Sequence, residues 1–140
     1  MERLIVHAAL HGVAILLVSL CAGLLTYRSV LRDEPPAAWH LAHAGGAARG
    51  VMLMAIAALA RLPVLPFWEL ALAVWLLIFF SWTSVAAMIV AAATHQRGLR
   101  FRGSLVNKSV FVLYVAGAVA VFPAGFMLLS GLLRGLRSIG

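Results

Sequence analysis

From Phe67 to Ala93 the chain reads FWELALAVWLLIFFSWTSVAAMIVAAA, in which Glu69 is the only charged residue. A membrane-spanning helix needs about 20 consecutive, mostly apolar residues, so this stretch is long enough to cross a bilayer. Three further stretches meet the same criterion, at residues 4–27, 40–60 and 110–133. The sequence therefore predicts an all-α integral membrane four-helix bundle, with residues 1–140 forming a single transmembrane domain.

The composition agrees with a membrane protein and excludes an ordinary soluble domain. Of 140 residues, 64% are hydrophobic and only 11% are charged, far from the usual balance of a soluble fold. The short connections leave no room for an extramembrane domain, so any chemistry lies inside the bundle or at its rims. The first span is too long and lacks the cleavage site of a signal peptide, so it is interpreted as a transmembrane helix.

The positive charge of the chain is explained by membrane topology. The formal net charge is +7, but the basic residues are scattered over the connections and form no basic helix face, so no nucleic-acid partner is expected. Arginine and lysine are more frequent in the first and third connections, which places these in the cytoplasm if lipid surrounds the bundle. We expect a bacterial inner (cytoplasmic) membrane. The single cysteine, Cys21, cannot form an internal disulfide and is predicted to be a buried, inert thiol.

Small residues in two spans indicate where helices approach closely. Ala42, Gly46 and Gly50 recur every four residues in the second span, a spacing that favours tight helix contact in membranes. His43 lies on the same face, so a flat ligand could also lie on this row.

The fourth span has a similar row and a proline. Gly131 and Gly135 are four residues apart near its end, which again indicates a close contact. Pro123 lies well inside the span and is expected to kink the helix, because it removes one backbone hydrogen bond.

Histidines are the main candidates for a functional site. His7 and His11 are four residues apart, and His40 and His43 are three apart, so each pair shares a helix face and could ligate a metal. No cysteine pair or carboxylate accompanies them, so a closed zinc site would be all histidine. His95 is interpreted as an interfacial residue of a connection.

A stretch at the start of the second span, WHLAHAGGAARG from Trp39 to Gly50, concentrates ionisable groups in an apolar segment. Such groups usually face a bundle interior, a cavity or a bound partner. Neutral imidazole is a common ligand of haem iron, and helix bundles can hold a haem. Residues alone leave two interpretations of His43 open, which are haem ligation and a hydrogen bond between helices.

The order of several motifs resembles the styrene oxide isomerase family over nearly the whole chain. The first and second connections are shorter here than in typical members. The matching residues are His11-Gly12, Trp39 and His43 four residues apart, Gly50 followed by Val51-Met52-Leu53-Met54, Trp82, Arg97-Gly98-Leu99 and Phe101.

This resemblance implies a small four-helix membrane enzyme, a homotrimer, that holds haem b near a subunit interface. In the family, ferric haem acts as a Lewis acid on an epoxide oxygen and a 1,2-shift gives the aldehyde, in keeping with the general chemistry of metal ions. His43 matches the axial iron ligand and Trp39 the tryptophan that precedes it. Gly46 and Gly50 are expected beside the haem. Arg49 is expected to pair with a haem propionate, with contact to the substrate oxygen or snorkelling to the interface as alternatives.

Three positions depart from the family pattern. Where the family has an asparagine, an aspartate and a tyrosine, this chain has Arg49, Phe80 and Met88. Catalytic residues are therefore unassigned, and activity as an epoxide isomerase, with a small apolar epoxide as substrate, is expected to be weak or lost. The alternatives are a non-enzymatic haem protein for sensing or electron transfer, and a purely structural membrane subunit.

Overall fold

The computed structural model of the chain describes residues 1–138 and contains four helices. They are α1 (Glu2–Leu31), α2 (Ala37–Leu59), α3 (Phe67–Thr94) and α4 (Leu105–Arg137). All four are long and apolar enough to cross a membrane, and no strand occurs among the described residues. The predicted all-α membrane bundle is confirmed, although α1 and α4 extend several residues beyond the apolar stretches that predicted them.

The helix ends follow local backbone chemistry. Asp33 and His95 take left-handed backbone conformations, with φ of 54° and 56°, directly after α1 and α3. Pro66 precedes α3 in an extended conformation, where a missing backbone N–H costs nothing. Ser104 caps α4, because its hydroxyl accepts a hydrogen bond of 3.1 Å from the Asn107 backbone N–H. The helix continues through Pro123, and the kink there stays a prediction.

Helices α1 and α2 make the closest contact of the bundle, at glycines. A Cβ built on Gly12 would lie 2.8 Å from the Gly50 carbonyl oxygen, and one built on Gly50 would lie 2.8 Å from the Gly12 carbonyl oxygen. A Cβ on Gly46 would lie 3.0 Å from the Ser19 Cβ. The small-residue row of α2 is therefore a helix contact, as predicted.

The second glycine row also makes a contact, but with a connection instead of a helix. Gly131 faces Leu65 and Pro63, while Gly135 faces the Leu62 carbonyl. The Val64 backbone N–H donates to the Gly131 carbonyl at 3.0 Å. These glycines thus let the connection between α2 and α3 lie against the end of α4.

The outer surface of the bundle is apolar, as a lipid-facing surface should be. Leu24 of α1 and Phe126 of α4 are both 70% exposed. Cys21 is also exposed, so the expectation of a buried thiol was wrong. Its position falls on the outward face of α1, whereas the buried residues of that helix include Ser19 and Ala22.

Candidate functional site

His43 is held by hydrogen bonds to the backbone of α1. Its Nδ1 lies 2.8 Å from the Ser19 carbonyl oxygen, and the Ser19 hydroxyl donates to the His43 carbonyl at 2.5 Å. A carbonyl can only accept, so Nδ1 carries the proton of the neutral ring. The other ring nitrogen, Nε2, then keeps its lone pair and can accept a hydrogen bond or bind a metal.

Gly23 makes room for this imidazole. A Cβ at Gly23 would lie 3.0 Å from His43 Nδ1 and 3.2 Å from Cε1, tighter than ordinary contact. His43 is half-buried, so the ring lies against α1 without being enclosed by the bundle. A fixed tautomer with a free Nε2 at a partly open surface fits the donor that haem iron takes from histidine.

The two glycines expected beside a haem pack against α1. Gly46 faces Ser19, and Gly50 faces Leu16 and the Gly12 backbone. No space for a macrocycle is left over either glycine in the described chain. The flat face predicted from their spacing is thus used for helix packing, and only His43 on that side has a free polar atom.

Arg49, Phe80 and Met88 come together on a different side of α2. The Arg49 guanidinium carbon lies 5.2 Å from the centroid of the Phe80 ring, and its Nη1 donates to the Gly45 carbonyl at 2.9 Å. A Cβ at Gly45 would lie 2.6 Å from the Met88 sulfur. Tyr114 of α4 lines the same cavity as Met88. We call Arg49, Phe80, Met88 and Tyr114 the arginine cluster.

His43 and the arginine cluster do not meet within one chain. Six residues along a helix amount to a rotation of about 120° away from the starting face. In agreement, His43 contacts Ser19 of α1, whereas Arg49 contacts Phe80 of α3. The structure therefore places His43 and Arg49 on different sides of α2, and the pairing of Arg49 with a haem propionate stays a prediction.

A cavity of about 800 Å³ lies at the end of the bundle where α2 begins and α3 ends. Trp39 lines it from α2, Met88 from α3 and Tyr114 from α4. Its lining combines apolar side chains with a few polar groups, as in a small-molecule site. The polar lining residues include Glu34, His95, Gln96 and Arg97.

The first histidine pair forms an aromatic group with two tryptophans. The ring centroids of His7 and His11 are 6.3 Å apart, and Trp75 lies 5.4 Å from His7. The Trp82 indole N–H donates to His11 Nδ1 at 3.1 Å, so the neutral His11 ring carries its proton on Nε2. Among residues 1–138 no three histidine, cysteine or acidic side chains are grouped as metal ligands.

His40 is exposed and His95 ends α3. Neither His11 nor His40 lines the cavity. The position of His95 at the end of a helix agrees with its interpretation as a residue of a connection.

Sequence reasoning did not identify Ser19, Gly23 and Tyr114 as site residues. Ser19 acts through its backbone carbonyl and Gly23 through the absence of a side chain, so neither carries a chemical signal in the sequence. Tyr114 does not stand at the position of the family tyrosine, which is Met88 here. Its polarity inside an apolar span was the one signal that could have marked it.

A family model described as styrene oxide isomerase matches residues 6–133. The match extends from the second turn of α1 to the last turns of α4 and includes His43 and the whole arginine cluster. A search among curated proteins finds no match.

Proposed function

Because the chain belongs to the styrene oxide isomerase family, we propose that it is a membrane protein that binds haem b through His43. We further propose that its isomerase activity toward styrene oxide is weak or lost. The candidate substrate is a small apolar epoxide, which the family chemistry would convert to an aldehyde. The proposed location is a bacterial inner membrane, with lipid around the helices.

The observation that carries the proposal is the hydrogen bond from His43 Nδ1 to the Ser19 carbonyl, 2.8 Å long. Histidine ligands of metals commonly donate their other ring N–H to a carbonyl or carboxylate, which fixes the tautomer and raises ligand basicity. A histidine that served only to join two helices would not need a free Nε2 at a partly open surface. The contact is thus better suited to ligation than to packing alone.

When bound, ferric haem would supply a Lewis-acidic iron for an epoxide oxygen. The protein's own part is to hold the His43 ring in one tautomer and orientation, and to keep water away with the apolar surfaces of α1 and α2. The groove between two helices cannot cover both faces of a macrocycle. We therefore propose that a second copy of the chain covers the other face, in a homotrimer as the family implies.

A non-enzymatic haem protein is the second candidate, and the arginine cluster favours it. Catalysis of a rearrangement gains most from dipoles aimed at developing charge, but Phe80 and Met88 have no group that donates a hydrogen bond. Arg49 and Tyr114 remain, and Arg49 puts a charged guanidinium where the family has a neutral asparagine. An iron centre of this kind suits ligand sensing or electron transfer as well as isomerisation.

The test is an absorption spectrum of the detergent-purified protein, compared with the variants His43→Ala and His40→Ala. We expect a haem Soret band in the parent and in His40→Ala, because His40 is an exposed residue one turn away on the same helix. We expect the band to be lost in His43→Ala. Full haem occupancy in His43→Ala would overturn the assignment, and absence of haem from the parent supplied with haem would overturn the proposed function.

A further inference from the structure

We propose that Arg49 binds the carboxylate group of an apolar ligand that reaches it past Met88 from the cavity between α2, α3 and α4. The ligand class is an aromatic or otherwise apolar acid whose body occupies the cavity. Three observations support this site: the missing counter-ion of Arg49, its incomplete hydrogen bonds and its position near the cavity.

No acidic side chain of the described residues forms an ion pair with Arg49. Arg49 lies near the middle of α2, where a charge is costly unless it is paired or faces a cavity. The chain has four acidic residues, and all lie in the first turn of a helix or in a connection: Glu2, Asp33, Glu34 and Glu69. Glu2 pairs with Arg61. A bound ligand is therefore the proposed counter-ion of Arg49.

The hydrogen bonds of the guanidinium are also incomplete. Of its five donors, one reaches the Gly45 carbonyl, while the buried Nε has no partner among the described residues. The face of the group lies over the Phe80 ring, a favourable but weak contact. The edge of a guanidinium matches a carboxylate, which accepts two parallel hydrogen bonds from it.

The position of the side chain relates it to the cavity. Because Nη1 reaches back to Gly45, the guanidinium points toward the start of α2. Arg49 does not itself line the cavity, whereas Trp39, Met88 and Tyr114 do. A Cβ at Gly45 would lie 2.6 Å from the Met88 sulfur and 3.3 Å from Arg49 Nη1, so the Met88 thioether is the cavity-lining group beside the guanidinium. A carboxylate would reach Arg49 by displacing this flexible side chain.

The size and the lining of the cavity suit such a ligand. A volume of about 800 Å³ is within the usual range for small-molecule sites. The lining residues include Arg97 and His95 and a single acid, Glu34. An anion in the cavity therefore meets at least as much basic as acidic chemistry.

Two sources could provide the carboxylate. One is a free aromatic acid that enters the cavity. The other is a propionate of a haem held by a second copy of the chain, since a haem on His43 of the same chain would lie on another side of α2. Only the second source rests on the proposed function.

The first arm of the test titrates the purified protein with 3-phenylpropionate and with its neutral counterpart 3-phenylpropanamide, using calorimetry. If a free acid is the ligand, it should bind at least about tenfold more tightly than the amide, as expected for charge-assisted hydrogen bonds. Arg49→Gln should abolish this preference, and Arg49→Lys, which keeps the charge, should retain part of it. Arg134→Gln, an exposed site at the opposite end of the bundle, is the matched control.

The second arm compares retention of haem b with retention of its dimethyl ester, which lacks free carboxylates. If a propionate is the ligand, Arg49→Gln should speed the loss of haem b about tenfold and leave loss of the ester unchanged. Tighter binding of the acid in the first arm, or faster loss of haem b from Arg49→Gln in the second, supports the site and identifies the source of the carboxylate. Equal binding of acid and amide, together with no effect of Arg49→Gln on haem b, would overturn the proposal. If the protein binds no haem, which contradicts the proposed function, the first arm decides alone.

Discussion

At the scale of the residue, the imidazole of His43 is positioned by the backbone of a neighbouring helix. The carbonyl of Ser19 fixes which nitrogen is protonated, and the missing side chain of Gly23 lets the ring reach that carbonyl. Neither feature depends on a polar side chain. A metal ligand can thus be oriented inside an apolar bundle without burying a further ionisable group, which would be costly in lipid.

Enlarging Gly23 should weaken haem binding through His43. A Cβ there would lie 3.0 Å from Nδ1, so Gly23→Val should rotate the ring away from the Ser19 carbonyl. Loss of an orienting contact typically costs about 10–100-fold in metal affinity, and we expect about a tenfold faster loss of haem to an external acceptor protein. Gly125→Val is the control, because nothing lies within 4 Å of a Cβ at Gly125. Unchanged retention in Gly23→Val would show that the contact with α1 does not orient the ligand.

Some of the site geometry could be predicted from the sequence, and some could not. The spacing of His43 and Gly46 correctly predicted that both lie on the contact face of α2, since helical periodicity is a local property. It could not distinguish a face open to a ligand from one filled by α1. The arginine cluster likewise depends on which helices become neighbours, and Tyr114 reaches it from α4, 65 residues further along the chain than Arg49.

At the scale of the element, the spans follow from apolar length, and their contacts follow from small residues. Hydropathy gave four helices because lipid requires every backbone group to be bonded within its own segment. It does not determine rotation about the helix axis, which is why Cys21 was expected to be buried and is exposed. The Gly12 and Gly50 contact fixes the rotation of α1 against α2 and, with it, the face on which His43 lies.

Substitution of Gly50 by alanine should separate α1 from α2. The added Cβ would lie 2.8 Å from the Gly12 carbonyl oxygen, and a backbone atom in a helix cannot move aside without moving the helix. Overpacking of this kind costs about 1–3 kcal/mol. We expect a lower free energy of unfolding in mixed detergent micelles and loss of the His43 environment. Gly125→Ala should be neutral, and equal stability of the two variants would contradict the role of this contact.

At the scale of the whole molecule, the side of His43 away from α1 lies at the surface of a single chain. Four thin helices cannot enclose a macrocycle at that position, because the interior between α1 and α2 is filled at Gly46 and Gly50. A haem ligated there would therefore be completed by another copy. The same arrangement would allow the arginine cluster of one copy to approach the haem of the next.

The proposed haem site between copies predicts an oligomer that depends on haem. Native mass spectrometry of the detergent-purified protein should give a trimer that carries haem, and the His43→Ala variant should release haem and dissociate more readily. His95→Ala is the comparison, because His95 follows the end of α3, whereas the His43 ring is held by Ser19 of α1. A monomer that retains a full equivalent of haem would contradict a site between copies.

The final prediction concerns activity and separates the fold from the substrate pocket. A Lewis-acidic iron needs only an open coordination position, but a single product requires dipoles that hold the epoxide and direct the migrating group. Phe80 and Met88 provide none, and Arg49 puts a charged guanidinium where the family has a neutral asparagine. We therefore expect negligible conversion of styrene oxide to phenylacetaldehyde by the ferric, haem-loaded protein in gas chromatography.

The double variant Arg49→Asn, Met88→Tyr restores two groups of the family pattern at positions that the structure brings together around Gly45. Recovered turnover in that variant would mean that the chain kept the haem site and lost only the groups that orient the substrate. Turnover by the parent comparable to that of typical family members would instead show that those groups are dispensable.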